Sequence, residues 1–269
     1  MSTVASTRAR QGVTQARVVT SEWIKFWSLR STVATLAIAI TLLVGIGLLA
    51  ASMFTAGTAP ANGPPGPGSA TDPVSASLAG TTFAQLAFGT LGVLLMAGEY
   101  GTGMIRSSMV AVPKRLPVLW GKLAVFTGVA FILGVAATTI AFTGGQAIIG
   151  DAGASWSDPG VARAVIGTAV VLTGSGLLGI GLGGLMRSTP SAITSLFGGL
   201  FLLTGVASLL LPDKWNGVEQ YLPANAANAF ASVSPSANAL TPWAGLAVFG
   251  GYVVAVVGAA AWRLRRSDV

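Results

Sequence analysis

Histidine and cysteine are both absent from this 269-residue chain. Their absence removes the usual proton shuttle, the commonest metal ligand, the thiolate nucleophile and any disulfide. Carboxylates, hydroxyls and amines are left to do chemistry, and there are only 8 acids. One of them, Glu99, stands where a long apolar run meets a polar loop. An ionisable group at a membrane edge is a functional candidate by default. The plain alternative is a local ion pair with Arg106 or Lys122. No two acids fall together inside an apolar run, so no catalytic set can be assembled and no enzyme is expected. Gly174-Ser175-Gly176-Leu177-Leu178-Gly179 matches G-x-G-x-x-G. A dinucleotide site needs a strand before it and an acid about 20 residues on, and neither is present. No Walker A motif occurs either, so no nucleotide, metal or other cofactor is expected on this chain.

Composition says what must hold these residues. The chain is 52% hydrophobic and 9% charged, against about 25% charged in a soluble domain. Its mean hydropathy is +0.74. An all-α integral membrane protein follows. The net charge of +7 does not point to nucleic acid, because the cations flank apolar runs, which is a topology pattern.

Hydropathy divides the chain into one membrane domain, 17–266, behind a Ser-, Thr-, Ala- and Arg-rich tail, 1–16, expected to be disordered. Residues 17–32 read as an interfacial elbow helix. Val19, Trp23, Phe26 and Trp27 share one face at the headgroup level, with Ser21, Lys25, Ser28 and Thr32 opposite. Six spans follow, at about 33–54, 78–97, 119–142, 164–186, 192–211 and 243–262. The first is uncharged and makes about 33 Å of helix, enough to cross about 30 Å of hydrocarbon. Residues 55–77 read as a flexible external linker, 143–160 as an outer loop, and 212–242 as short helices at the outer interface. Lys122, one turn inside span 3, is expected to reach the inner headgroups. Of the 15 cations, all but Arg163 and Lys214 fall on the side of the amino terminus, so both termini are expected in the cytosol. In span 4, Gly176, Gly179 and Gly183 give a thin face, with Gly179 and Gly183 a G-x-x-x-G pair for close helix packing. The sequence does not say whether its neighbour belongs to the same chain.

Between spans 2 and 3, the order is Glu99-Tyr100-Gly101-Thr102-Gly103-Met104-Ile105-Arg106, then Ser107 to Val112, then Pro113-Lys114-Arg115. Met104, Ile105, Ser108, Met109 and Val112 share a face at about 100° per residue. Gly101 and Gly103 disfavour continuation of the preceding helix, and Pro113 stops the next. A stiff two-turn helix is predicted, too short to insert in a bilayer.

This stretch resembles the loop between spans two and three in membrane subunits of type-2 ABC exporters. The family pattern is a glutamate, a tyrosine or similar residue, a Thr-Gly pair, a short helix, then a proline followed by basic residues. Here those elements are Glu99, Tyr100, Thr102, Gly103, Pro113 and Arg115; Met104 stands where the family often has a small hydroxyl residue. Ser21-Glu22-Trp23 and Lys25 are similar to the family's elbow signature, and the likeness runs from about Arg17 to Arg266. The resemblance implies a permease in the bacterial cytoplasmic membrane, exporting an amphipathic or apolar substrate. It implies a second permease subunit, identical or paralogous, and two copies of a separate ATPase. Glu99, Thr102, Gly103, Met104, Ile105, Arg106, Met109, Val112, Pro113 and Arg115 would form the ATPase-coupling segment. The alternatives are a secondary transporter and a non-transporting membrane scaffold.

Overall fold

The computed structural model describes residues 14–57, 72–105, 110, 116–210, 216–234 and 238–266. The described chain is all-helical. α1 (Gln15–Ser28) leads to α2 (Arg30–Thr55), a short α3 (Pro73–Ser77) and α4 (Thr81–Gly101). α5 (Leu116–Ile149) and α6 (Val161–Met186) follow. Then come α7 (Thr189–Phe197), a π turn at Gly198–Leu202 and α8 (Leu203–Leu210). Short helices α9 (Asn216–Glu219) and α10 (Pro223–Ala231) precede α11 (Pro242–Arg266). Six of these stretches are long and apolar enough to cross a bilayer, α7 and α8 counting as one. That is consistent with a multi-pass membrane protein.

α6 is the central helix. It packs against α4, α5, α7 and α11, and most of its apolar window is buried. Glycine makes the closest of these approaches possible. A Cβ on Gly179 would lie 2.1 Å from the Gly89 carbonyl oxygen, and one on Gly92 would lie 2.0 Å from that of Gly176. A Cβ on Gly183 would meet the Ala97 amide at 3.1 Å. The G-x-x-x-G face of α6 therefore meets α4 of the same chain, the question the sequence left open. Inside that seam the buried Gln85 amide donates to Ser175 Oγ at 3.0 Å, a direct polar tie between helices.

Several element boundaries differ from the sequence reading. The elbow is not one helix over 17–32. Leu29 is extended (φ −85°, ψ 109°) and separates α1 from α2, which lets the chain turn into the bundle. α5 runs to Ile149, past the expected end at 142, and at 34 residues measures about 51 Å. Its extension has a packing reason. The Gln146 amide donates to the Pro73 carbonyl (3.0 Å) and Ser77 Oγ (2.9 Å), and its Oε1 accepts from the Ala154 amide at 2.7 Å. The same contacts hold α3, which lies within the stretch read as a linker. Asp72 caps α3, its Oδ1 accepting from the amides of Val74 (3.0 Å) and Ser75 (2.9 Å). The fifth span is broken by its π turn, where Gly198 and Gly199 have open space around them. A π turn marks a local register change in a helix. Beyond it, α8 exposes Leu203, Val206 and Leu209 along the bundle's surface.

The helices alternate in direction and sort the charges. The end carrying α1 gathers Arg17, Lys25, Arg30, Lys122, Arg187, Arg263, Arg265 and Arg266, with Glu22 and Glu99 its only acids among the described residues. The far end carries Asp72, Asp151, Asp158 and Glu219, and Arg163 as its described cation. Arg163 donates to the carbonyls of Phe230 and Ser232, fastening α10 to the start of α6.

Candidate functional site

At the α1 end, three helices that are remote in sequence bring four charges together. Lys122, in the second turn of α5, donates to Glu22 Oε2 of α1 at 2.7 Å and to Glu99 Oε1 of α4 at 3.0 Å. Lys25 donates to Glu22 Oε1 at 2.9 Å and to the same Glu99 oxygen at 3.2 Å. The side chains of Lys122, Glu22 and Glu99 are 4%, 5% and 7% exposed, while that of Lys25 is 31% exposed. Two acids and two bases leave the cluster formally neutral. Such pairing is what permits burial of charge at all.

Local structure explains why each charge needs the others. Glu99 lies in the last turn of α4, where the helix dipole disfavours a carboxylate; the two lysines supply the compensation. Gly121 leaves room for α1 on α5, since a Cβ there would lie 3.0 Å from Val18 Cγ1 and 3.6 Å from the Glu22 side chain. The Gln15 amide also donates to the Pro117 carbonyl at 3.1 Å. The second Glu99 oxygen is buried without a hydrogen-bond partner among the described residues. Burial by itself pushes the Glu22 carboxyl up, but the Lys122 ammonium, with its hydrogen bond and that of Lys25, holds it below the ordinary value. Burial likewise works against the Lys25 ammonium, yet its bonds to Glu22 and Glu99 carry it above the ordinary lysine value.

This arrangement changes the reading of two segments. Lys122 does not reach for headgroups; it is the buried centre of the cluster. The inward face of α1 is Val18, Glu22 and Phe26, so Phe26 is a core residue at 3% exposure. Trp23 and Trp27 remain exposed and stack edge to face with centroids 5.8 Å apart. Glu22 rotates the helix inward because its partner is buried, a cause no hydrophobic face can reveal. A signal was nonetheless present: among many cations at this end, Glu22 and Glu99 are the two acids of the described residues.

The loop residues fall on both sides of what is described. α4 stops at Gly101; Thr102 Oγ1 donates back to the Gly98 carbonyl at 3.0 Å, and Gly103 takes φ +72°, a left-handed conformation that glycine adopts without cost. Met104 is exposed, whereas Ile105 is 2% exposed and so belongs to the interior of this chain. Val110 is 83% exposed. Arg106, Met109, Val112, Pro113 and Arg115 lie outside the described residues. Of the two local partners considered for Glu99, Lys122 is engaged, and Arg106 lies outside the described residues as well. The cluster thus sits at both roots of the 102–115 segment, Glu99 at its start and Lys122 just after its end.

Neither a comparison with models of known protein families nor a search of curated proteins finds a match to this chain.

Proposed function

We propose that the chain is the membrane-spanning permease subunit of an ATP-driven transporter of the type-2 ABC exporter class. In this reading the α1 end faces the cytosol, following the positive-inside rule. Two permeases form the path, and two copies of a separate ATPase drive it. The cargo is an amphipathic or apolar molecule, in keeping with spans made of Gly, Ala, Leu, Val and Thr. The observation that carries the proposal is the buried cluster of Glu22, Glu99, Lys25 and Lys122. A segment that transmits a partner's motion needs stiff roots, and the cluster ties both roots of 102–115 to the elbow helix. A secondary transporter also uses buried ionisable groups, but near the bilayer midplane; here they lie at the bundle's end.

The test uses the exposed side of the loop. Met104→Glu combined with Val110→Glu leaves Ile105 in place. Loss of an apolar contact of about 1.5–3 kcal/mol per side chain should abolish co-purification of an ATPase subunit and its substrate-stimulated hydrolysis. Insertion and oligomeric state must match the parent. Full retention of coupling in such a variant would leave 102–115 as a connector only.

A further inference from the structure

We propose that the π turn of the fifth span is a rotary hinge, on which α8 switches between two helical registers while α7 stays fixed in the bundle. The first argument is where packing stops. α7 lies against α4 and α6, and its Ala192 and Leu196 are buried. A Cβ on Gly89 of α4 would lie 2.5 Å from Leu196 Cδ2. Leu200, inside the π turn, is buried too, in one apolar cluster with Val93, Ala97 and Val171. Beyond it the anchoring ends. α8 packs chiefly against the π turn and the short α9, and of its described side chains only Ala207 is buried. The boundary between the held and the unheld half of this span falls at the π turn.

Backbone hydrogen bonding is the second argument. The Gly198 amide is shared between the carbonyls of Thr194 and Ser195. The Leu203 amide donates to the Gly198 carbonyl, five residues back. The turn therefore carries one residue more than an α-helical turn. Returning it to the α register would rotate everything after it by about 100°. Gly198 and Gly199 have no neighbour within 4 Å of where a Cβ would stand, so packing does not call for them. What they supply is a backbone free to change register.

The third argument is a hydroxyl. Thr168, Thr173 and Thr194 each donate to the carbonyl four residues back, as threonine does within a helix. Thr204 Oγ1 is buried and has no hydrogen-bond partner among the described residues. The carbonyl four residues back from it is that of Leu200, inside the π turn. The α register would bring that carbonyl to the hydroxyl, as in the other three threonines. The π register thus leaves Thr204 unpaired, whereas the α register pairs it and rotates α8. The exposed Leu203, Val206 and Leu209 offer little packing to resist that rotation. This hinge stands independently of the transport reading.

The chain has no cysteine, so pairs of spin labels can be introduced without background. Pulsed electron paramagnetic resonance in lipid nanodiscs compares Leu209→Cys on α8 with Ala162→Cys on α6, against Ser191→Cys on α7 with Ala124→Cys on α5. All four positions are exposed. The first pair should give two distances and the second a single one. Thr204→Val removes the hydroxyl that favours the α register and should lower the share of one distance relative to the other by about fivefold, the worth of one hydrogen bond. Deleting Gly199 removes the additional residue and should leave the first pair with a single distance. A single narrow distance for the first pair in the parent overturns the proposal. So does a spread that Thr204→Val leaves unchanged, since α8 would then fray without switching. Should the deletion variant fail to insert, Thr204→Val decides alone, because it keeps the length of the helix and the shape of the side chain.

Discussion

Replacing Lys122 by methionine keeps most of the side-chain length and removes the more deeply buried of the two ammonium groups that are bonded to both acids. Glu22 and Glu99 would then share Lys25, which sits at the rim with 31% of its side chain exposed. Breaking a buried ion pair from one side costs about 3–5 kcal/mol, chiefly because a charge is left buried without compensation. Lys122 is 4% exposed, so Lys122→Met belongs in that range. Lys25→Met removes a half-solvated partner and should cost about 1 kcal/mol or less. The reasoning also fixes the sign of a combination. Adding Glu99→Gln to Lys122→Met removes the uncompensated carboxylate and should restore more than half of the loss, leaving Glu22 with Lys25. Reversible unfolding in mixed dodecyl maltoside and dodecyl sulfate micelles, followed by tryptophan fluorescence, measures all three. Equal costs for Lys122→Met and Lys25→Met, or a deeper loss on adding Glu99→Gln, would show that the cluster does not work as a buried compensating network.

Two further tests address the pH response of the cluster and the packing of the helix seam. The Glu22 carboxyl is held below its ordinary value of 4.5, so its contribution to stability is present above that pH and is lost as pH falls through the folded value. Lys25 is held above 10.5, so its contribution is present below that pH and is lost only as pH rises through the folded value; the unfolding midpoint should be flat between these limits, and Glu22→Gln should shrink the acid limb. In the α4–α6 seam, Gly92→Ala puts a Cβ 2.0 Å from the Gly176 carbonyl oxygen and should cost about 1–3 kcal/mol by overpacking. Gly251→Ala on α11, with open space around it, should be neutral or stabilise by up to about 1 kcal/mol through helix propensity; thermal unfolding in detergent separates the two.

Sequence alone determined the parts of this protein that depend on summed local preference. Six apolar runs, long enough to satisfy their own backbone hydrogen bonds, specify six helices wherever their side chains turn. Cation placement specified which helix ends belong together, because every span reverses the chain. The stop of α4 was legible in Gly101 and Gly103, since glycine tolerates a left-handed backbone. The tertiary structure decided what depends on pairing across helices. Lys122 reads as a snorkelling lysine until Glu22 and Glu99 are seen on either side of it. Phe26 reads as an interfacial aromatic until Glu22 turns α1 and carries it inward. The G-x-x-x-G face names no partner until Gly89 and Gly92 of α4 meet it. Gln146 extends α5 because α3 offers it acceptors. Each of these is an interaction between residues 23 to 100 positions apart. Hydropathy counts one residue at a time, so a charge matched by a distant charge looks like a solvated one until the helices are packed.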